Sequence, residues 1–267
     1  MFVDSHCHLS SNELSGRMAE IRVAMAEAKV DRALCICTTL DEFPRVHALA
    51  TTYDNFWCSA GVHPDEQDSR EPTVEQLVEL AALDKVVAIG ETGLDYYRLA
   101  GRSLAEMAWQ RERFRVHIRA ARITGLPLVI HTRSASVDTL TLLREEEGGE
   151  PGGVFHCFTE TAEVARAALD LGFHISFSGI LTFKNADDLR AVAAFVPLNR
   201  CLIETDSPYL APAPFRGKVN TPANVPWVAQ RLAEIKSTTV EEIAEATSRN
   251  FELLFLRRDV PRTSGST

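Results

Sequence analysis

The sequence predicts an α/β protein: a single-domain (β/α)8 TIM barrel with an extra C-terminal helix. Three observations predict it. The chain has 267 residues, and one barrel of this kind takes roughly 250. Short apolar β-type runs alternate with longer amphipathic segments, which is the rhythm of βαβ units in a parallel sheet. The C-terminal ends of those runs carry His, Glu and Asp, and in barrels of this class the strand C-termini form the chemical face.

The runs are residues 2–8, 33–37, 56–61, 86–90, 127–130, 153–155, 173–177 and 201–203. Most are short and apolar, as strands buried on both faces are. Eight such units in one domain-sized chain favour a closed barrel over an open sheet. Helix-like stretches lie between them, such as 104–124 with its many Ala, Arg and Glu residues. Residues 148–153, with four glycines, read as a helix-to-strand loop because regular patterns resume on either side. After the eighth run, 211–226 is a Pro-rich loop carrying Arg216 and Lys218, and a helix pair is expected over 222–235 and 240–255. Residues 1–256 are thus one domain, and 257–267, polar with Pro and Gly, read as a flexible tail.

The 45% apolar and 24% charged fractions are those of an ordinary globular protein. No apolar run approaches the roughly 20 residues that span a bilayer, and the first residues carry no basic and apolar secretory pattern. Six cysteines stand mostly inside apolar runs, without CxxC pairs. They read as buried thiols in a reducing compartment, so a cytoplasmic location is expected. A net charge of −9 argues against broad duplex binding. It leaves room for a small nucleic-acid footprint beside bound divalent cations. The sequence fixes no oligomeric state, and a monomer is compatible with it.

The chemistry concentrates at the run ends. The first ends in His6-Cys7-His8, the fourth in Glu91, the fifth in His131, the sixth in His156 and the eighth in Asp206; the third adds His63. Strand side chains alternate faces, so His6 and His8 point the same way and can reach one ion while Cys7 points elsewhere. Each of these residues alone has an ordinary structural reading as a cap, turn or hydrogen-bonded residue. Their joint placement points to a metal centre. His47 and His117 lie in helical segments and read as exposed or partly packed. His174 starts the seventh run, at the wrong end of a barrel for chemistry. Cys37 and Cys157 read as buried apolar residues. Mixed His and carboxylate ligation suits Zn, Mn or Fe, and Mg if waters complete the shell. Two ions about 3.5–4 Å apart would fit this many ligands and would activate a water at neutral pH.

With these motifs in view, the chain resembles the TatD family of metal-dependent deoxyribonucleases, within the amidohydrolase-like barrel superfamily. The resemblance covers residues 1–255. It runs through Asp4-Ser5-His6-Cys7-His8-Leu9, Gly61-Val62-His63-Pro64, Glu91-Thr92-Gly93-Leu94-Asp95-Tyr96, His131-Thr132-Arg133, His156-Cys157-Phe158, Ser176-Phe177-Ser178-Gly179, Glu204-Thr205-Asp206-Ser207-Pro208-Tyr209 and Asn220-Thr221-Pro222. It implies two divalent ions (Mg, Mn or Zn). His6, His8, Glu91 and Asp206 would hold one; Glu91, His131 and His156 would hold the other, with Glu91 bridging. Asp206 would also orient or deprotonate the attacking water, so Asp206 and Glu91 are the catalytic candidates. His63, Arg133, Arg216, Lys218 and Asn220 would face substrate phosphate, and Glu204 would support the ligands from behind. The chain departs from the common pattern at Asp65, Ser134 and Val219, which thins the phosphate clamp.

The activity implied is phosphodiester hydrolysis, with 3′–5′ exonuclease action on DNA ends; the acidic chain favours single-stranded ends. Two other readings use the same residues. A hydrolase of an amide, lactone or aminoacyl ester would keep the ligands but need no phosphate clamp, and Arg133, Arg216 and Lys218 weigh against it. A non-enzymatic metal-binding barrel would show a lost ligand, and none is lost.

Overall fold

The structure is a computed structural model that describes residues 1–97, 99 and 101–256. The expected tail, 257–267, lies outside the described residues. Eight strands form one parallel sheet in sequence order: β1 (Phe2–Cys7), β2 (Val30–Cys35), β3 (Phe56–Ala60), β4 (Val86–Asp95), β5 (Leu128–Arg133), β6 (Gly153–Phe155), β7 (His174–Phe177) and β8 (Cys201–Ile203). Helices α1 (Met18–Glu27) to α7 (Asp187–Phe195) fill the connections, and α8 (Val225–Lys236) and α9 (Val240–Phe251) follow β8. This is the (β/α)8 barrel with extra C-terminal helices. Among the described residues, no helix is long and apolar enough to cross a membrane.

The helices start where their sequences supply caps. Thr73 and Gln76 form a capping box at α3 (Val74–Ala81), and Thr239 and Glu242 form another at α9. Helix α4 (Ala108–Thr124) ends at Gly125, whose φ of 69° suits a residue without a Cβ. Alternate strand residues divide the apolar interior in two. Leu34, Val129, Val154 and Leu202 pack together inside the barrel, whereas Ala33, Cys35, Leu128, Ile130, Phe155, Cys201 and Ile203 pack outward with the helices. Phe251 and Phe255 join the inner set and plug its N-terminal end.

The barrel closes between β1 and β8 by a short seam. Asp206 N donates to His6 O (3.0 Å) and His8 N to Ser207 O (2.7 Å). Side chains reinforce it. Asp4 accepts from Thr205 N (2.9 Å) and from the Thr205 hydroxyl, and the Ser5 hydroxyl donates to Ile203 O (3.0 Å).

Three sequence expectations need correction here. Strand β4 does not end near Gly90; it continues to Asp95, with a register shift between Ile89 and Thr92. Its polar second half pairs with β5, Gly93 opposite His131, which apolar runs do not reveal. Gly93 is required there: a Cβ would lie 1.9 Å from His131 O. His117 is not exposed or partly packed but fully buried. Its Nε2 accepts from Val62 N (2.9 Å) and its Nδ1 donates to Arg113 O (2.8 Å). Cys157 also differs, being only half-buried with its thiol against the Ser178 hydroxyl (3.1 Å). The six cysteines are free, and burial pushes the Cys37 and Cys201 thiols up to about 12.

Burial draws the His117 imidazole down from 6.5 to about 4, and the positive charge of Arg113 adds to the shift. The unfolded chain therefore binds this proton first. The neutral ring's contribution is complete above pH 6.5 and is lost as pH falls toward about 4, on the order of 3 kcal/mol. His117→Gln is expected to be less stable than wild type at about pH 7.5, with the gap shrinking by about pH 4.5. Urea denaturation across that range checks it; a gap independent of pH contradicts the assignment.

Candidate metal centre

Strand ends from around the barrel direct their side chains at Glu91, which is almost completely buried. Its two oxygens face different groups. Oε2 lies 3.3 Å from His6 Nε2 and 3.9 Å from His8 Nε2. Oε1 lies 2.8 Å from His156 Nε2 and 3.3 Å from both His63 Nε2 and His131 Nδ1. Asp206 approaches from the seam, its Oδ1 3.3 Å from His8 Nε2 and 3.7 Å from His6 Nε2. The rings of His6 and His156 stack at 3.9 Å. All six residues expected as ligands meet at this face of the barrel.

A second layer holds the imidazoles. His131 Nε2 lies 3.0 Å from Asp95 Oδ2, and His156 Nδ1 lies 3.2 Å from Glu204 Oε1. Each ring thus has one nitrogen toward Glu91 and the other fixed by an outer carboxylate, an arrangement that sets ring orientation at metal sites. Behind His6, the Asp4 carboxyl is pushed by burial up to about 8.

The electrostatics follow from crowding. Burial alone would raise the Glu91 carboxyl, but the facing imidazoles of His156, His63, His6 and His131 hold it well below the usual range. Burial works against Asp206 in the same way, and His8, His6 and His156 overcome it. In return His156 rises well above its ordinary value: burial opposes this, and Glu91 and Glu204 outweigh burial. His6 moves the other way, lowered by burial and by His156.

These residues fit a divalent metal. His6 Nδ1 and Glu91 Oε2 are buried without a hydrogen-bond partner. His6 Nε2 faces His8 Nε2 at 3.3 Å, and His156 Nε2 faces His131 Nδ1 at 3.5 Å. In the unprotonated form that ligates a metal, each pair brings two lone pairs together, and a shared cation removes that conflict. Among the described residues, three sets bring ligand atoms within 4.8 Å of one another: His6, His8 and Glu91; His63, Glu91 and His131; His6, His156 and Asp206.

The residues expected at substrate phosphate distribute differently. His63 sits against Glu91, inside the cluster. Arg133, at the end of β5, stacks its guanidinium on Tyr97 (3.6 Å). Arg216 lies over Phe183 (3.4 Å) and Lys218 near Phe215, both basic residues exposed at the rim. Asn220 is completely buried. Its Nδ2 donates to Thr205 O and Tyr209 O, and its Oδ1 accepts from Thr221 N and Asn224 Nδ2. That side chain shapes the turn bearing Asp206 and leaves no free donor for a substrate. Sequence reasoning assigned no role to Asp95. No apolar pattern places it on one strand with Glu91, and only the pairing of β4 with β5 brings it to His131.

Metal added to the chelator-treated protein should raise its melting temperature, since an ion bound only by the folded state stabilises it. Glu91→Gln should lose most of that shift, because an amide cannot compensate cationic charge. Asp95→Asn should keep it but require roughly 10–100-fold more metal. Thermal melts titrated with Zn or Mn check both; equal shifts in all three proteins would remove Glu91 and Asp95 from the centre.

Comparison with known proteins agrees with this geometry. The family model described as "TatD related DNase" matches residues 3–256. The uncharacterized metal-dependent hydrolase YcfH of Escherichia coli strain K12 is 47% identical over 256 residues, covering 95% of each chain. A protein of Citrobacter rodentium named 3′-5′ ssDNA/RNA exonuclease TatD is 34% identical, over 94% of this chain and 97% of its own. Among solved structures, YjjV, a TatD homolog from Escherichia coli, superposes with a TM-score of 0.87 at 29% identity, covering 95% of this chain and 97% of that one. Arrangement and sequence agree across nearly the whole chain, which belongs to the TatD family of metal-dependent hydrolases.

Proposed function

We propose that this hydrolase cleaves phosphodiesters and removes nucleotides from the 3′ ends of single-stranded DNA. The observation that carries the reading is the division of Glu91: one carboxylate oxygen toward His6 and His8, the other toward His63, His131 and His156. That division supports two cations with Glu91 between them. His6, His8 and Asp206 would complete one site, and His131 and His156 the other, with His63 beside it. Bound there, divalent cations supply Lewis-acid stabilisation to the phosphoryl oxygens and acidify a water toward a pKa of about 7.

The chain's own groups do the rest. Asp206 faces His6 and His8 through Oδ1, and this carboxylate would orient a water and accept its proton as the water oxygen attacks phosphorus. The 3′ oxygen of the preceding nucleotide leaves in line. Arg216 and Lys218, both exposed at the rim, would meet phosphate there. The name of the Citrobacter rodentium relative supports this substrate class. The six free thiols suit a reducing, cytoplasmic setting.

Metal-replete protein should shorten end-labelled single-stranded DNA from its 3′ end, and chelation should abolish this. Asp206→Asn should lower kcat by about 100-fold or more, the scale of general acid–base catalysis, with the fold intact by circular dichroism. Full turnover after chelation, or activity only on amides, lactones or aminoacyl esters, would overturn the proposal. Arg216→Ala and Lys218→Ala should each raise KM for DNA and flatten its dependence on log salt by about one unit. Kinetics at several salt concentrations check this; an unchanged slope in the double variant removes the loop from phosphate binding.

A further inference from the structure

Two exposed tyrosines flank the metal centre, and both are tied to its residues. Tyr97 follows β4 and keeps 61% of its surface open. Its backbone N donates to Asp95 Oδ1 (2.8 Å), and the other oxygen of that carboxylate holds His131 (3.0 Å). The Arg133 guanidinium stacks on its ring at 3.6 Å. Tyr209 follows β8 and keeps 57% of its surface open. Its backbone N donates to Asp206 O (2.9 Å), and its carbonyl accepts from the buried Asn220 amide (2.7 Å). Its ring stands edge-on to His8, with centroids 6.1 Å apart. In a ring of strands ordered β1 to β8, β4 and β5 lie across the mouth from β8 and β1. The two tyrosines therefore stand on opposite rims, with Glu91 between them.

We infer that Tyr97, backed by Arg133, and Tyr209 are stacking platforms for the two unpaired nucleobases on either side of the scissile phosphate. The inference rests on the phosphodiesterase reading above and names how that site selects its substrate. An aromatic face accepts any base, so stacking gives affinity without sequence preference. A guanidinium lying on one face of Tyr97 holds the ring without covering its outer face. Bases paired in a duplex are already stacked on their neighbours and cannot turn outward to two opposite rims. The platforms therefore select single strands, and an acidic chain needs few cations to bind them. Hydrogen bonds from each tyrosine's backbone to the groups carrying Asp206 and His131 keep ring and centre in register. Asn220 then acts as a positioning residue for Tyr209.

The test uses the metal-loaded full chain and three oligodeoxynucleotides: unmodified single-stranded DNA, and the same strand lacking the base on one or the other side of the terminal phosphodiester. Tyr97→Ala and Tyr209→Ala should each raise KM on the unmodified strand about tenfold, with kcat falling less. Tyr→Phe at either position should restore KM, and Tyr→Leu, which keeps bulk without a π face, should not. Removing the matching base should raise the wild-type KM by a similar factor and cancel the effect of the alanine variant. Unchanged KM in both alanine variants of an active enzyme, or an equal rise on the base-free strands, overturns the platforms and leaves the phosphodiesterase reading standing. Wild-type protein inert on every strand overturns that reading and the platforms with it.

Discussion

The Glu91 carboxylate is the constraint around which the site is arranged. A buried, unpaired carboxylate costs several kcal/mol, so its charge must be met from all sides. It is met by the imidazoles of His6 on β1, His8 just after it, His63 after β3, His131 on β5 and His156 after β6, while Asp206 beyond β8 faces the same His6 and His8. None of these is near Glu91 in sequence except through the closed barrel. The same convergence that neutralises Glu91 in the metal-free chain presents mixed nitrogen and oxygen ligands to a cation. Metal uptake is then an exchange of protons on imidazoles for divalent charge.

Precision at such a centre depends on what stands behind it. Asp95 and Glu204 fix the far nitrogens of His131 and His156. The seam between β1 and β8 matters as much, because His6 and His8 lie on one side of it and Asp206 on the other. Few backbone hydrogen bonds cross there, and the Asp4–Thr205 and Ser5–Ile203 contacts add side-chain links at the same place. Closing the barrel brings His6 and His8 to Asp206. At the opposite end, Phe251 and Phe255 complete the inner core, which gives the C-terminal helix a structural task remote from the chemistry.

The rim has a different character from the rest of the surface. The chain carries a net charge of −9, yet Arg133 lies against Tyr97 beyond β4, and Arg216 and Lys218 lie against Phe183 and Phe215 beyond β7 and β8. Cations at a concave, partly apolar mouth act over short range, where the Debye length of about 8 Å in physiological salt does not remove them. A ligand with alternating phosphates and flat rings suits that mixture better than a broad polyanion.

The sequence by itself determined the barrel and the six residues that converge on one site. Apolar runs mark strands because strands of a parallel barrel are buried on both faces, and polar residues that end those runs must lie at one face of the barrel. It could not show the second half of β4, because residues 92–95 mix polar residues and glycine, and only their pairing with β5 makes them a strand. It places His117 on a helix as an exposed or partly packed residue, whereas Val62, whose amide donates to it, lies 55 residues away. It grouped Asn220 with the phosphate-facing residues of its loop, and the folded loop turns that amide inward onto Thr205 and Tyr209. The division of Glu91's two oxygens was likewise decided only by tertiary structure. A residue's type fixes which bonds it can make, but which partners stand within 3 Å depends on how distant strands close around it.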